Sequence, residues 1–288
     1  MGKRFDVLLF PGGKSKAFTL SYDDGVIQDR RLAALFRQHG VKCTFNLNAA
    51  HLDHQEIIQT QGGEDLDISK ISPAEIETVY QTHEIGGHGL YHSALDSIGA
   101  PLAMYEIIED KQQLEMLAGK PLKMFAYPFG RYNTEVSKLL MLAGYRGART
   151  VMSTHAFDLP KDFMAWNPTC HHNDPQLMEL AKEFVESDSF AFAPRLFFLW
   201  GHAYEFDGDN NWDRMEDFLQ MISGHEETIW YAANGEIIDY VSAYQRLEYS
   251  ADGSMIFNPS AIDITIQAAR EPVVLPAGQL TRMPATPL

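Results

Sequence analysis

Between residues 17 and 223 short apolar runs alternate with stretches of helical periodicity, and that rhythm admits few architectures. Ala17-Phe18-Thr19-Leu20 reads as a strand, and the helix after it carries Leu32, Leu35 and Phe36 at helical spacing, with Gly40 as its stop. Further strand-like runs are expected at 41–48, 84–87, 124–126, after Gly144, at 163–169 and at 195–200. Helical stretches are expected at 72–82, 103–117, 133–143, 175–186 and 212–223. The second helix opens with Ser72-Pro73-Ala74-Glu75, a capping box with proline at the first helical position. Strands and helices alternating at this spacing predict an α/β fold with a parallel sheet, and the number of units favours a barrel over an open sheet.

The last forty or so residues change character. Asp252-Gly253 is a hairpin signal, and the run 261–267 alternates with Ile262, Ile264 and Ile266 on one face. We therefore divide the chain into a barrel, residues 1–245, and a β-rich appendage, residues 246–288, too short to be stable alone and expected to cover the bottom or edge of the barrel. The formal charge of -16 argues against nucleic acid and anionic lipid surfaces and suits a neutral or cationic substrate. No run is long enough to insert in a membrane, and residues 1–6 lack the apolar stretch of a secretory signal, so a cytoplasmic location is expected, with a removed leader left open. Cys43 and Cys170 form no framework and read as buried free thiols.

Two stretches carry candidate chemistry. The first strand ends in Asp23-Asp24-Gly25. In a pleated strand adjacent side chains point to opposite faces, so both acids can serve one site only if the chain leaves the pleat there, which Gly25 permits. The alternative is an ordinary Asp-Asp-Gly turn. The second stretch is His88-Gly89-Leu90-Tyr91-His92. On a helix that spacing brings two imidazoles to one face, close enough to share a metal ion, although surface or packing histidines show the same spacing. With Asp24 the set becomes two histidines and one carboxylate, leaving a position for water as in catalytic zinc sites.

Downstream stand Phe125-Ala126-Tyr127-Pro128-Phe129-Gly130 and the apolar strand ending Leu199-Trp200-Gly201-His202. The order of these four motifs, spanning residues 17–202, resembles the polysaccharide deacetylase family (carbohydrate esterase family 4-like), which includes chitin and peptidoglycan deacetylases. The resemblance implies a distorted (β/α) barrel and a divalent metal, zinc first, with cobalt, nickel or manganese also compatible. It implies that Asp24, His88 and His92 hold the metal, that Asp23 is the general base and His202 the general acid, and that the backbone N–H of Phe129 helps to hold the oxyanion. Trp166 and Trp200 would wall the acetyl pocket, and Tyr127 would line the substrate site. The implied substrate is an N-acetylated, or O-acetylated, oligo- or polysaccharide. Amide hydrolysis needs a polarised carbonyl, an activated water, a home for the oxyanion and a proton for the leaving amine, and these residues provide one each.

The chain also departs from the family pattern. Ser21-Tyr22 replaces the usual Thr-Phe, Trp200 stands where a leucine is usual, and Ala126 stands where many members carry an arginine that orients the catalytic aspartate. Arg131 and Arg149 are the candidates to replace that charge. His171 and His172 follow a strand and are expected near the site mouth, with His172 taken as a substrate contact, while Glu205 and Asp207 either orient His202, contact a sugar or belong to a solvated loop. Rival readings are a glycosidase using the two aspartates, a non-haem iron oxygenase, a carbohydrate-binding pseudoenzyme, and a hydrolase of another small C–N bond.

Overall fold

The computed structural model describes residues 7–60, 62–187, 193–268 and 271–283. Eight strands, the last not expected from sequence, form one parallel sheet: β1 (Lys16–Asp23), β2 (Cys43–Leu47), β3 (Glu84–Gly87), β4 (Met124–Ala126), β5 (Gly147–Arg149), β6 (Cys170–His171), β7 (Arg195–His202) and β8 (Ile229–Tyr231). Seven lie in the order β5-β4-β3-β2-β1-β7-β6, and β8 pairs with the first residues of β1. The sheet curls. Its two ends are drawn together by residues 166–171, where Trp166 bridges to Arg149 and the Thr169 N–H donates to the Phe198 carbonyl.

Outside the sheet run α1 (Asp29–Gln38), α2 (Ile76–Val79), α3 (Ala100–Ala118), α4 (Thr134–Leu142), α5 (Leu177–Glu186), α6 (Tyr204–Gly208), α7 (Trp212–Ile222) and α8 (Asn234–Gln245). Apolar stripes are buried by Leu32, Ala33 and Phe36 on α1 and by Met215, Phe218, Leu219 and Ile222 on α7, whereas α3 buries Glu106, Asp110 and Lys111 among its apolar residues. Two expected elements differ. The Ser72 capping box forms, but around a 3₁₀ turn, Pro73–Glu75, and only four α-helical residues follow before Tyr80 turns the chain. The run 163–169 is a 3₁₀ turn at Phe163–Ala165 and then an irregular segment, because Pro168 cannot donate to a ladder.

Alternation along the strands sorts side chains into two environments. From β1, Phe18, Leu20 and Tyr22 face the helices, whereas Ala17, Thr19, Ser21 and Asp23 face inward. The register pairs Ala17 with Leu196, Thr19 with Phe198, Ser21 with Trp200 and Asp23 with His202. The interior therefore passes from apolar at the strand starts to charged at the strand ends. Leu196, Phe198, Met124 and Ala17 share one apolar cluster with Ile237 and Val241 of α8 and with Ile264, Ile266 and Leu275.

That cluster shows how the C-terminal segment sits. Ile264–Ala268 pairs antiparallel with Glu271–Leu275 on one side and with Val7–Leu9, from the start of the chain, on the other. Glu248–Tyr249 and Met255–Phe257 form the hairpin around Asp252-Gly253. Ile264 and Ile266 are fully buried, but Ile262 precedes the strand and is exposed. The Tyr240 hydroxyl pins the layers together, donating to the Leu9 carbonyl (2.8 Å) and accepting from the Thr265 N–H (2.9 Å). Cys43 and Cys170 are buried free thiols.

Candidate active site

The ends of β1, β3 and β7 bring Asp23, Asp24, His88, His92 and His202 to one place. Asp23 completes the inward row of β1, and at Asp24 the backbone turns left-handed (φ 76), followed by Gly25 (φ 61). The chain leaves the pleat one residue before the glycine, and this lets both carboxylates face the same side. The histidine pair is not helical: it lies in a loop after β3, and His92 is itself left-handed (φ 55). Among the described residues six non-glycines have positive φ, and three of them, Asp24, His92 and Phe129 (φ 59), are in this site. Such backbone is costly and is typically retained where side chains must be aimed.

Asp24 Oδ1 lies 3.7 Å from His88 Nε2 and 3.8 Å from His92 Nε2, and the three ligand atoms lie within 4.8 Å of one another. These separations exceed hydrogen bonds but match ligands sharing one cation at metal–ligand distances of about 2.0–2.2 Å. The tautomer fits as well. His88 Nδ1–H donates to the Ala126 carbonyl (2.7 Å), which leaves the lone pair on Nε2 facing Asp24. Burial, with the neighbouring His88, lowers the His92 pKa to about 4, so its imidazole is neutral as a ligand must be. The donor set thus suits a divalent cation.

The loop is held from outside the barrel. Asp110 of α3, fully buried, accepts from the N–H groups of Ala49 (2.8 Å), His88 (3.1 Å) and Gly89 (3.1 Å), and Glu106 accepts from Tyr91 N–H (3.0 Å) and the Ser93 hydroxyl (2.7 Å). Asn48 donates to the carbonyls of His88 and Gly89. Gly86 allows Asn46 to approach, since a Cβ there would sit 2.3 Å from its Oδ1. Asp110, Glu106, Asn46 and Asn48 were not singled out from sequence. Asn46 and Asn48 carried a signal, as polar residues at alternate positions of the run 41–48, whereas the two acids on α3 carried none.

Asp23 is held by a buried cation. Arg149 donates through Nη2 to Asp23 Oδ2 and through Nε to the Ser21 hydroxyl (3.1 Å), and its guanidinium lies 4.4 Å from the Trp200 ring centre. Asn46 donates to the other carboxylate oxygen (2.8 Å). Burial alone would raise the Asp23 pKa, but Arg149, His88, His202 and Asn46 outweigh it and lower it to about 2. Arg131 is elsewhere, paired with Asp96 at the surface. Arg149 is the register partner of Ala126 on the next strand. The cation expected at 126 therefore stands one strand over, in the same layer.

His202 Nε2 lies 4.0 Å from Asp23 Oδ2, while its Nδ1 faces Glu205 Oε1 at 3.2 Å. Burial disfavours the imidazolium, but the Glu205 contact and the Asp23 and Asp24 charges prevail, and the His202 pKa is raised. Phe129 is exposed, with its ring edge-on to His92 at 4.5 Å. Of the residues expected to contact substrate, Trp200 lies beside His202 and His171. The other three lie elsewhere. Trp166 packs under the site against Phe198 (4.6 Å) and Phe163, Tyr127 points outward and donates to the Met164 carbonyl (2.8 Å), and His172 is fully buried between Tyr22 and Phe206. A side chain with no exposed surface cannot meet a sugar, so of the two adjacent histidines it is His171 that borders the site.

Residues 11–148 match the family model described as polysaccharide deacetylase. No curated protein matches the chain in sequence. Among solved structures, a candidate polysaccharide deacetylase from Mycobacterium smegmatis is 17% identical over 83% of this chain and 94% of that chain, with a TM-score of 0.59. The Xyl-CE4 domain of a multidomain xylanase from the hindgut metagenome of Trinervitermes trinervoides is 12% identical over 83% and 99%, with a TM-score of 0.53. A Streptococcus pyogenes deacetylase in complex with acetate is 18% identical over 46% of this chain and spans only 55% of its own, with a TM-score of 0.39. The matched residues contain the Asp23-Asp24, His88/His92 and Tyr127-Pro128-Phe129-Gly130 motifs, the curled parallel sheet is the deacetylase (β/α) barrel, and the resemblance of this chain to the polysaccharide deacetylase family is thereby shown.

Proposed function

We propose that the protein is a metal-dependent hydrolase that removes acetyl groups from an acetylated carbohydrate. The observation that carries this reading is the convergence of Asp24, His88 and His92 on one point, with Asp23 to one side and His202 beyond it. A divalent cation held there would supply a Lewis acid for the acyl carbonyl and would acidify a water. Asp23, kept ionised by Arg149, is placed to accept a proton from the attacking water. The N–H of Phe129 serves the developing oxyanion. His202, kept protonated by Glu205, gives its Nε2 proton to the departing nitrogen or oxygen. Trp200, stacked on Arg149, borders the space beside His202.

A carbohydrate-binding pseudoenzyme was suggested by Ala126, but Arg149 supplies the missing cation, so that argument loses its ground. The test is acetate release by the zinc- or cobalt-loaded protein from N-acetylglucosamine oligomers and acetylated xylan. Release that depends on metal supports the proposal. Sugar binding without release across the panel would favour the binder, and formate or ammonia without acetate would mark a different C–N hydrolase.

A further inference from the structure

The Glu205 carboxylate is the meeting point of three imidazoles. Its Oε1 faces His202 Nδ1 at 3.2 Å, and its Oε2 lies 3.1 Å from His171 Nε2 and 3.0 Å from His172 Nε2. We propose that His171 and His172 are positioning residues that act through Glu205: by drawing on its carboxylate through Oε2 they limit how tightly Oε1 holds the His202 proton. The inference rests on reading His202 as the proton donor.

The hydrogen-bond network assigns the protons. His171 Nδ1 accepts from the Asn173 N–H (3.1 Å), so its lone pair is there and its proton is on Nε2, facing Glu205. Tyr22, whose pKa burial pushes well up, keeps its hydrogen and lies 3.2 Å from His172 Nδ1. His172, held neutral by burial, therefore also carries its proton on Nε2. Two N–H groups thus converge on one oxygen. Neither His172 Nε2 nor Glu205 Oε2 has an aligned hydrogen-bond partner, so the two rings act on the carboxylate through close electrostatic contact, which a buried site screens little. These contacts help to lower the Glu205 pKa against the opposing effect of burial.

The arrangement is rigid. The His172 ring is stacked between Tyr22 (5.7 Å between centres) and Phe206 (4.2 Å), and it lies so close to β7 that a Cβ at Gly201 would sit 1.9 Å from its Nδ1. His171, His202 and Glu205 have the atom types of a second cation site. The tautomers oppose that use, since a ring nitrogen that carries a proton has no lone pair to give a metal. The other groups around His202 are Asp23 and Asp24 from the end of β1, His92 from the loop after β3, Tyr204 of α6, and Trp200 and His171 beside it.

The signs follow. Replacing Glu205 removes negative charge from His202, and replacing either neighbouring histidine leaves more of that charge to His202. In zinc-loaded protein, the His202 ring is followed by NMR across pH in wild type, Glu205→Gln, His172→Phe and the half-exposed, more tolerant His171→Phe. The midpoint should fall in Glu205→Gln and rise by about half a pH unit or more in the histidine variants, a several-fold tighter hold on the proton. The alkaline limb of kcat/KM should move the same way with KM little changed. An unmoved or lowered midpoint in both histidine variants overturns the proposal, as does loss of a second zinc equivalent in His171→Phe. Midpoints that move as expected in a protein that releases no acetate would support the positioning and sink only the deacetylase reading.

Discussion

Two neighbouring carboxylates have different environments, and the difference fits the separate work proposed for them. Asp23 is buried, ion-paired and bonded to Asn46, whereas Asp24 makes no such pair and faces two imidazole nitrogens across a gap wider than a hydrogen bond. A base needs to be ionised and a ligand needs a free lone pair aimed at the cation, so the turn at Asp24 suits the two roles proposed for the pair. Asp24→Ala should therefore lose about one zinc per chain and all turnover, with His88→Ala behaving alike. Asp23→Asn should keep the zinc and lose activity by a factor of roughly 10² or more. Zinc content by mass spectrometry beside acetate release checks this, and equal zinc loss in both aspartate variants would mean the roles are reversed or shared.

The cation paired with Asp23 stands on a different element from the one the resemblance implies. At β4 the family's arginine position is Ala126, and at β5 its register partner is Arg149, which reaches the same carboxylate under the Trp200 ring. The two departures at 126 and 200 thus have one physical account: a guanidinium entering from the next strand needs a cover, and an indole face provides one. In Arg149→Met the carboxylate loses its main favourable charge while burial remains, so the Asp23 pKa rises from about 2. The acid limb of kcat/KM should then move to higher pH. Breaking a buried pair also costs about 3–5 kcal/mol, so the fold must be checked by circular dichroism. Adding Ala126→Arg should restore part of the activity and return the limb towards acid. A double variant no better than Arg149→Met would show that the charge cannot serve from β4.

The same pair shows what was legible in the sequence and what was not. The order of strands and helices was open to reading because periodicity is local. So was the grouping of Asp24, His88 and His92, because residue types able to bind a cation carry a signature. The choice between Arg131 and Arg149 depended on which strand neighbours β4 and in what register, a long-range fact that local pattern does not encode. His172 misled for a related reason: it follows a strand as a site residue would, but Gly201 opens a slot in β7 that draws the ring into the core.

At the scale of the molecule, the site depends on a floor it never touches. The inward rows of β1 and β7 descend from Asp23 and His202 through Ser21 and Trp200 to Ala17 and Leu196, where the apolar cluster of α8 and the C-terminal strands closes the barrel. Because Val7–Leu9 pairs with Ile264–Ala268, the beginning and end of the chain join in that floor, and its loss would open the barrel from below. Ile266, fully buried opposite Leu8 and Val273, tests the point. Ile266→Ala removes buried methyl groups from a packed cluster and should cost about 2–5 kcal/mol. If floor and barrel unfold as one unit, the urea midpoint followed by tryptophan fluorescence falls in a single transition with an unchanged slope. The native variant should still bind one zinc, since the ligands lie at the opposite end of the strands. A separate early transition at the C-terminal strands, with the barrel midpoint unmoved, would instead make the floor an independent attachment.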